Sequence, residues 1–411
     1  MSNGYGGYGT FSLFREFWSR YSPRDVEEQY PLMILRFKKW LSNLILRGRV
    51  LQWWLRRKMK KLERQYFQTI DENAKRGPLP ETWPKFPSRP PVKTLLYISD
   101  DQWEITELVP ELRKICAVEV LNLHPSFVKR PESQPHWEVT LKGITEFIRS
   151  KPSFEPDVIF PYLCSPMLSE AVFEVLRKRW SCPLIGMNLD DKIEFFDYNL
   201  FSYRRDNYHK WAKYFDVNIT NGRLAVDWYL DRGLPVYYMP QGCFQKIPPP
   251  PDRPNFKYDI TFLGRWRPER EMIVRQMQEF GVPVRPIGGG WPGSAVVDVP
   301  EWIFQGSQIN FGIGFATPSE KLTTTKGRDF ECPSAGACYL TTYHWELGTH
   351  YDIGKEILCY RSLEEAAEIY SYYHRRPEEC LKMAHAAYRR CQAHHTWEKR
   401  FRTLFQKMGF S

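Results

Sequence analysis

Short apolar runs alternate with amphipathic stretches from residue 92 onward. Runs at 94–99, 118–123, 157–160 and 183–187 predict buried strands, because they are short, continuous and separated by apolar residues at helical spacing. Two further strands are predicted at 217–220 and 236–238. Apolar strands alternating with helices are typical of a parallel sheet covered on both faces.

A second series of the same kind follows the segment 247–254, which contains four consecutive prolines. Such a run cannot lie inside a helix or a sheet, so it indicates a hinge between two domains. The predicted strands of the second series are 259–263, 284–287, 308–311, 337–341 and 357–360. We therefore predict two α/β domains, residues 92–246 and 255–411, with helices at the end of the second.

The first 91 residues, called the N-terminal arm below, have a different pattern. Apolar residues recur at helical spacing over residues 30–67, and a proline-rich stretch follows. Residues 1–90 contain 18 Lys and Arg against 8 Asp and Glu, an excess equal to the +10 net charge of the whole chain. Basic amphipathic helices of this kind can lie on an anionic membrane surface. They can equally pack on the body or on a second subunit as an oligomer contact, and the sequence leaves both interpretations open.

Cysteine spacing and the hydropathy pattern indicate the compartment. The nine cysteines contain no CxxC pair, which favours reduced thiols over disulfides or a zinc site. No secretory signal is seen at the N-terminus, and no apolar run is long enough to span a bilayer. We expect a cytoplasmic protein, peripheral on the inner face of the membrane if the arm binds lipid.

Candidate binding residues follow the strands of the second domain, where ligands bind in open α/β sheets. Gly264 and Arg265 come directly after one strand, and the glycines 288–290 with Trp291 come after the next. Glycines allow a ligand to approach the backbone closely, although a triple glycine is equally typical of a plain turn.

Another candidate group precedes a predicted helix near residue 328. Lys326 and Arg328 with a helix N-terminus suit a diphosphate, and Glu331, about one turn on, could accept both ribose hydroxyls. The alternative is that Lys326 and Arg328 are solvated surface residues.

Carboxylates follow two strands of the first domain. Asp100 and Asp101 follow the first strand, and Asp190 and Asp191 follow the fourth. A paired carboxylate can be tuned to accept a proton from an acceptor hydroxyl, and we favour Asp191, then Asp190, then Asp100 as that base. The alternative is that these residues cap helices or turns.

Several stretches in order resemble one family of bacterial enzymes. The segments "IGMNLDDKIEFF", "YFDVNITNG", "YDITFLGRWRPERE", "IGGGW" and "KGRDFECPSAGACYLTT" look like those of the spore-protein CgeB-like glycosyltransferases. The resemblance extends from about residue 183 to residue 403 and is absent from residues 1–90. It implies the GT-B fold, in which two Rossmann-like domains face each other across a cleft that binds a nucleotide-sugar.

The resemblance also implies roles for particular residues. Lys326 and Arg328 would hold the diphosphate and Glu331 the ribose. Gly264 and Arg265 would lie at the phosphate side, with Gly290 and Trp291 near the nucleobase or its supporting wall. One position departs from the pattern of many retaining enzymes, because Thr323 stands where they have a second glutamate. The stereochemical outcome is therefore open.

The expected function is transfer of a sugar from a nucleoside-diphosphate sugar to a hydroxyl of a membrane-linked or polymeric acceptor, such as a glycan, a glycolipid or a protein. No DxD motif suggests a metal site, and no cofactor is expected beyond the co-substrate. One alternative is a non-catalytic protein of the same fold that binds nucleotide-sugar or glycan. Nucleic-acid binding by the arm is disfavoured, because residues 91–411 are formally neutral and contain no motif for it.

Overall fold

The computed structural model describes residue 60 and residues 86–124, 135–191, 195, 208–244, 246–294, 296–315 and 323–411. The chain divides into a unit of residues 1–62 and a unit of residues 63–411. Apart from residue 60, every described residue belongs to the second unit. The predicted helices of the arm therefore lie outside the described residues. No helix of the described part is long and apolar enough to cross a membrane.

The N-terminal half of the second unit is built on parallel strands. Their hydrogen-bonded orders are β2-β1-β3 and β4-β5-β6, and a parallel bridge from Ile159 to Leu184 joins the two ladders. The strands are β1 Thr94–Ser99, β2 Ala117–Asn122, β3 Val158–Tyr162, β4 Ile185–Asn188, β5 Val217–Thr220 and β6 Val236–Tyr238.

Helices of this half pack on the sheet through apolar faces that form two core clusters. The first helix of this half continues from a π-helical turn, Glu104–Leu108. The third helix begins after a serine cap, in which the Ser169 hydroxyl accepts a hydrogen bond from the Val172 amide at 3.3 Å. The helices are α1 Val109–Arg113, α2 His136–Ser150, α3 Glu170–Arg179, α4 Tyr208–Ala212 and α5 Arg223–Leu230.

The C-terminal half repeats the plan with a five-stranded parallel sheet of order β11-β10-β9-β7-β8. Its strands are β7 Tyr258–Leu263, β8 Arg285–Ile287, β9 Ser307–Phe311, β10 Tyr339–Thr342 and β11 Leu358–Tyr360. Its helices are α6 Pro268–Glu279, α7 Pro300–Gln305, α8 Arg328–Ser334, α9 Leu347–His350, α10 Leu363–Tyr373 and α11 Pro377–His394. The predicted α/β class with two parallel sheets is confirmed.

The last helix, α12 Trp397–Lys407, packs against the sheet of the other half. Phe401 shares a core cluster with Tyr97 and Phe160 of the N-terminal half. We predicted this helix as part of a domain of residues 255–411, and its packing differs from that prediction. Its apolar stripe shows that one face is buried, but local spacing carries no information about which sheet covers that face.

The chain crosses twice between the halves, and the two crossings lie side by side. On the way out, Cys243 donates its amide to the carbonyl of His395 at 2.9 Å. On the return, Trp397 donates its amide to the carbonyl of Cys243 at 3.0 Å. These paired backbone bonds hold the connection after β6 against the start of α12.

Candidate active site

Segments that follow the strands of one sheet contact segments that follow the strands of the other, and this junction between the halves is called the cleft below. The amide of Arg223, after β5, donates to Glu346 Oε1 at 3.3 Å, and Glu346 follows β10. Thr325 lies close to Asn221, with its Oγ1 3.5 Å from the Asn221 carbonyl oxygen. The carboxyl ends of both sheets therefore line this cleft, which is the position where α/β proteins bind ligands.

Three arginine side chains form a group at one side of the cleft, called the arginine cluster below: Arg267, Arg270 and Arg328. Arg265 contributes its backbone carbonyl, and its side chain is exposed. Arg270 donates to the Arg265 carbonyl at 2.8 Å, and Arg328 Nε donates to the Leu263 carbonyl at 3.2 Å. Burial lowers the pKa of Arg270 to about 10, and the charges of Arg267 and Arg328 add to the effect. Positive charges held this close to Arg270 favour an anion beside them. Arg270 was missed in the sequence analysis, although the arginine-rich segment after β7 was a signal for it.

The start of α8 brings Arg328 and Glu331 together. Arg328 Nη1 forms an ion pair with Glu331 Oε2. We predicted that the helix N-terminus would offer amides to a diphosphate. The Lys326 amide donates to Asp329 Oδ2 at 2.6 Å, and α8 has only 7 residues. The binding of a diphosphate at this helix N-terminus stays a prediction.

Asp329 supports this turn from inside the C-terminal core. Besides the Lys326 amide, it accepts the Tyr339 hydroxyl at 3.0 Å. Burial raises the pKa of Asp329 to about 6, and the bonds from Lys326 and Tyr339 oppose that rise. Asp329 thus positions the backbone that carries Lys326 and Arg328.

The glycine loops after β7 and β8 pack backbone against backbone. A Cβ on Gly288, which has a φ of 133°, would lie 2.6 Å from the Gly264 carbonyl oxygen. A Cβ on Gly290, which has a φ of 87°, would lie 3.1 Å from Cβ of Trp266. The Trp291 indole donates to the Gly264 carbonyl at 2.8 Å, and the residue is 6% exposed. The structure therefore places Trp291 in the wall behind these loops.

The two aspartates after β4 have different environments. Asp191 is 2% exposed, and its Oδ1 accepts the Tyr229 hydroxyl at 3.0 Å. A base must reach the acceptor hydroxyl, but this side chain is buried, because Tyr229 of α5 packs over it. Asp190 is exposed, and its amide donates to Asn188 Oδ1 at 2.8 Å.

Asp100, after β1, combines partial exposure with a perturbed pKa. The Cys164 thiol donates to Asp100 Oδ2 at 3.3 Å. Burial raises the pKa of Asp100 above its ordinary value. The hydrogen bond from Cys164 opposes this rise, and the negative charge of Asp101 adds to it. A half-buried carboxylate of this kind is suited to accept a proton. Within the described ranges, no group of three or more His, Cys, Asp or Glu could hold a metal ion.

A buried carboxylate that the sequence analysis missed joins the two halves. Glu346 is 3% exposed, and its Oε2 accepts the Tyr238 hydroxyl at 2.8 Å. Tyr238 also lies 3.2 Å from Nε2 of His350. Burial raises the pKa of Tyr238 well above its ordinary value, and the charge of Glu346 raises it further. The hydroxyl therefore stays protonated and donates a hydrogen bond to Glu346. Glu346 therefore helps to hold the two halves together across the cleft.

Comparisons with known proteins agree with this geometry. Residues 267–406, about a third of the chain, match a sequence-family profile described as "Glycosyl transferase-like". No curated protein sequence is significantly similar to the chain. The fold is similar to that of a sucrose-phosphate synthase from Thermosynechococcus elongatus, with a TM-score of 0.54, 13% identity, and coverage of 76% of this chain and 98% of that one. It is also similar to a glycosyltransferase from Rickettsia africae, with a TM-score of 0.52, 8% identity, and coverage of 77% and 98%.

The chain has the α/β fold of the GT-B type, as predicted. The profile match and the fold together support a glycosyltransferase of the GT-B type. The narrower resemblance to the CgeB-like enzymes stays a prediction.

Proposed function

We propose that the protein transfers a sugar from a nucleoside-diphosphate sugar to a hydroxyl group of an acceptor. The observation that carries this proposal is the arginine cluster beside Glu331 in a cleft between two parallel sheets. Guanidinium groups bind phosphate oxygens in a bidentate manner and keep their charge at any physiological pH. A carboxylate beside them provides acceptors for sugar hydroxyls.

In this proposal the donor is held by the C-terminal half. Arg265, Arg270 and Arg328 bind the diphosphate with Lys326, and Glu331 binds the ribose. The positive charges of the arginines and Lys326 stabilise the diphosphate as it leaves. This stabilisation is the main electrostatic demand of the reaction. We propose that these side chains meet this demand without a metal ion, and that no cofactor takes part.

The acceptor is bound on the side of the N-terminal half. For an inverting reaction, the attacking hydroxyl transfers its proton to a carboxylate while its oxygen bonds to the anomeric carbon and the diphosphate leaves. Asp100 is now the first candidate base, because it is partly exposed and has a raised pKa. Asp190 is the second, and the buried Asp191 is the third.

A panel of nucleotide-sugars tests the proposal on the full-length protein. Thermal unfolding is measured with UDP-, GDP-, ADP- and dTDP-sugars, and release of the nucleoside diphosphate is then followed with and without EDTA. One nucleotide should stabilise the fold by about 2.7 kcal/mol at one hundred times its dissociation constant. We expect turnover in EDTA. Absence of any stabilisation contradicts the proposal, and binding without turnover in any acceptor mixture identifies a non-catalytic binding protein.

We further propose that the protein is cytoplasmic and acts on a membrane-linked or polymeric acceptor, with the arm attached to the inner face of the membrane. The support is the sequence of residues 30–67, where an apolar stripe is flanked by basic residues. Packing in a protein core does not require this positive charge, whereas attraction to acidic headgroups depends on it.

Sedimentation with lipid vesicles tests the membrane proposal. Full-length protein should sediment with vesicles containing phosphatidylserine at low salt and be released at high salt, because salt screens the attraction. Neutralising three basic residues of the arm should abolish sedimentation: Arg57→Gln, Lys60→Gln and Arg64→Gln. Neutralising three exposed lysines of the folded body should leave sedimentation unchanged: Lys142→Gln, Lys178→Gln and Lys382→Gln. Full-length protein that ignores these vesicles at low salt favours an arm packed on protein.

A further inference from the structure

Gln241 lies in the connection that leaves the N-terminal half after β6. Its Oε1 atom is buried and has no hydrogen-bond partner among the described residues. Leaving a buried acceptor without a donor disfavours the folded state by about 1–3 kcal/mol. Such an atom in a ligand cleft suggests that a donor is supplied from outside the protein.

The position of this oxygen indicates which kind of donor is missing. A Cβ built on Gly327 would lie 2.9 Å from Gln241 Oε1 and 2.8 Å from Glu331 Oε1. Two acceptor oxygens, one from the connection after β6 and one from the C-terminal half, therefore converge on the small space beside Gly327. The other oxygen of Glu331, Oε2, pairs with Arg328. A vicinal diol, with two adjacent hydroxyls, can donate one hydrogen bond to each converging acceptor.

Gly327 keeps this space open. Its φ and ψ are −52° and −40°, which are ordinary right-handed helical values that any residue adopts. Alanine is therefore compatible with the backbone here, and the nearest atoms to the added methyl group would be Gln241 Oε1 and the carboxyl group of Glu331. The glycine matters for the space that it leaves and not for its conformational freedom.

We propose that Gln241 is a specificity-determining residue that binds the ribose diol of the nucleotide together with Glu331. This inference rests on the proposed function, because it assumes a nucleoside diphosphate at the arginine cluster. The diphosphate is bound by the C-terminal half, whereas the ribose is also contacted by the connection after β6. A nucleotide lacking one ribose hydroxyl leaves one of the two converging oxygens without its donor.

The connection that carries Gln241 is tied to both halves. The backbone of Cys243 pairs with residues 395 and 397. Lys246 Nζ lies 2.6 Å from Glu107 Oε1 of the N-terminal half and 3.6 Å from Glu301 Oε1 of the C-terminal half. The position of Gln241 over Gly327 thus depends on the relative arrangement of the halves, and ribose binding favours the arrangement seen here.

Calorimetric titration of the full-length protein tests the inference. The probes are UDP, GDP and ADP, their 2′-deoxy analogues, and inorganic pyrophosphate. The wild type should bind its preferred ribonucleotide at least tenfold more tightly than the deoxy analogue, about 1.4 kcal/mol. In Gln241→Leu and Gly327→Ala, this ratio should fall below threefold, with pyrophosphate affinity unchanged. Gln241→Glu keeps an acceptor oxygen and should keep the preference for ribose.

Matched variants separate a loss of the ribose contact from a general loss of structure. Gln276→Leu on the exposed side of α6 and Gly348→Ala in α9 should leave every affinity unchanged. A Gln241→Leu protein that binds nucleotides with the wild-type ratio overturns the inference while the proposed function stands. A wild type that binds neither nucleotides nor pyrophosphate overturns both.

Discussion

Arg328→Ala is expected to weaken binding of the nucleotide-sugar at least tenfold, or about 1.4 kcal/mol and more. Arg328 belongs to the arginine cluster, where its charge contributes to lowering the pKa of Arg270. A guanidinium between two phosphate groups donates several charge-assisted hydrogen bonds, and alanine removes all of them. The measurement is the dissociation constant of the nucleotide that stabilises the wild type, with kcat/KM as a second readout.

Two further variants show whether a loss of affinity in Arg328→Ala is specific to the arginine cluster. Arg275→Ala on α6 is the matched control, because Arg275 is exposed and, among the described residues, forms its ion pair with Glu271 of its own helix. Its nucleotide affinity should equal that of the wild type. Arg270→Ala should reproduce the loss, because the same cluster loses a charge. If Arg328→Ala and Arg270→Ala are folded and bind donor normally, the diphosphate does not bind at the arginine cluster.

Asp100→Asn is expected to lower kcat by about a hundredfold or more while leaving donor affinity nearly intact. General base catalysis contributes about 10²- to 10⁴-fold, and asparagine keeps the shape of the side chain without accepting the proton. Donor affinity should persist, because Asp100 lies on the opposite half from the arginine cluster. Steady-state kinetics with saturating donor, together with titration of the donor, separate the two effects.

The pH dependence gives an independent test of Asp100. The base must be ionised to act, and burial raises its pKa above the ordinary value. Activity should therefore rise with pH through a pKa higher than that of an exposed aspartate, and this rise should vanish in Asp100→Asn. A variant with wild-type kcat and the same pH profile excludes Asp100 as the base.

Asp191→Asn distinguishes the two rankings of the base. The sequence favours Asp191 as the base. If that is right, the Asp191→Asn variant should lose turnover while its donor binding stays intact. The structure buries this carboxyl against Tyr229, so we expect lower stability with turnover less affected than in Asp100→Asn. If a folded Asp191→Asn protein loses turnover and Asp100→Asn does not, the order derived from the sequence is correct.

Strand positions were predictable from the sequence, because burial of a short strand on both faces leaves a continuous apolar run. The run at 94–99 coincides with β1, and that at 217–220 coincides with β5. The glycines and arginines after β7 were also recognisable, since a ligand at the carboxyl end of a strand requires close backbone approach and charge. These features depend on residues that are near each other along the chain.

Only the tertiary structure brought Gln241 beside Gly327, placed Glu346 between the halves and buried Asp191 under Tyr229. It also packed α12 on the sheet of the other half. In each case the partners are far apart in sequence, and their meeting depends on how two sheets and the segments between them pack. Periodicity shows that a face is buried, and the order of residues shows which polar residue follows a strand. Neither shows which distant residue lies opposite, because that contact is decided by packing of the whole unit.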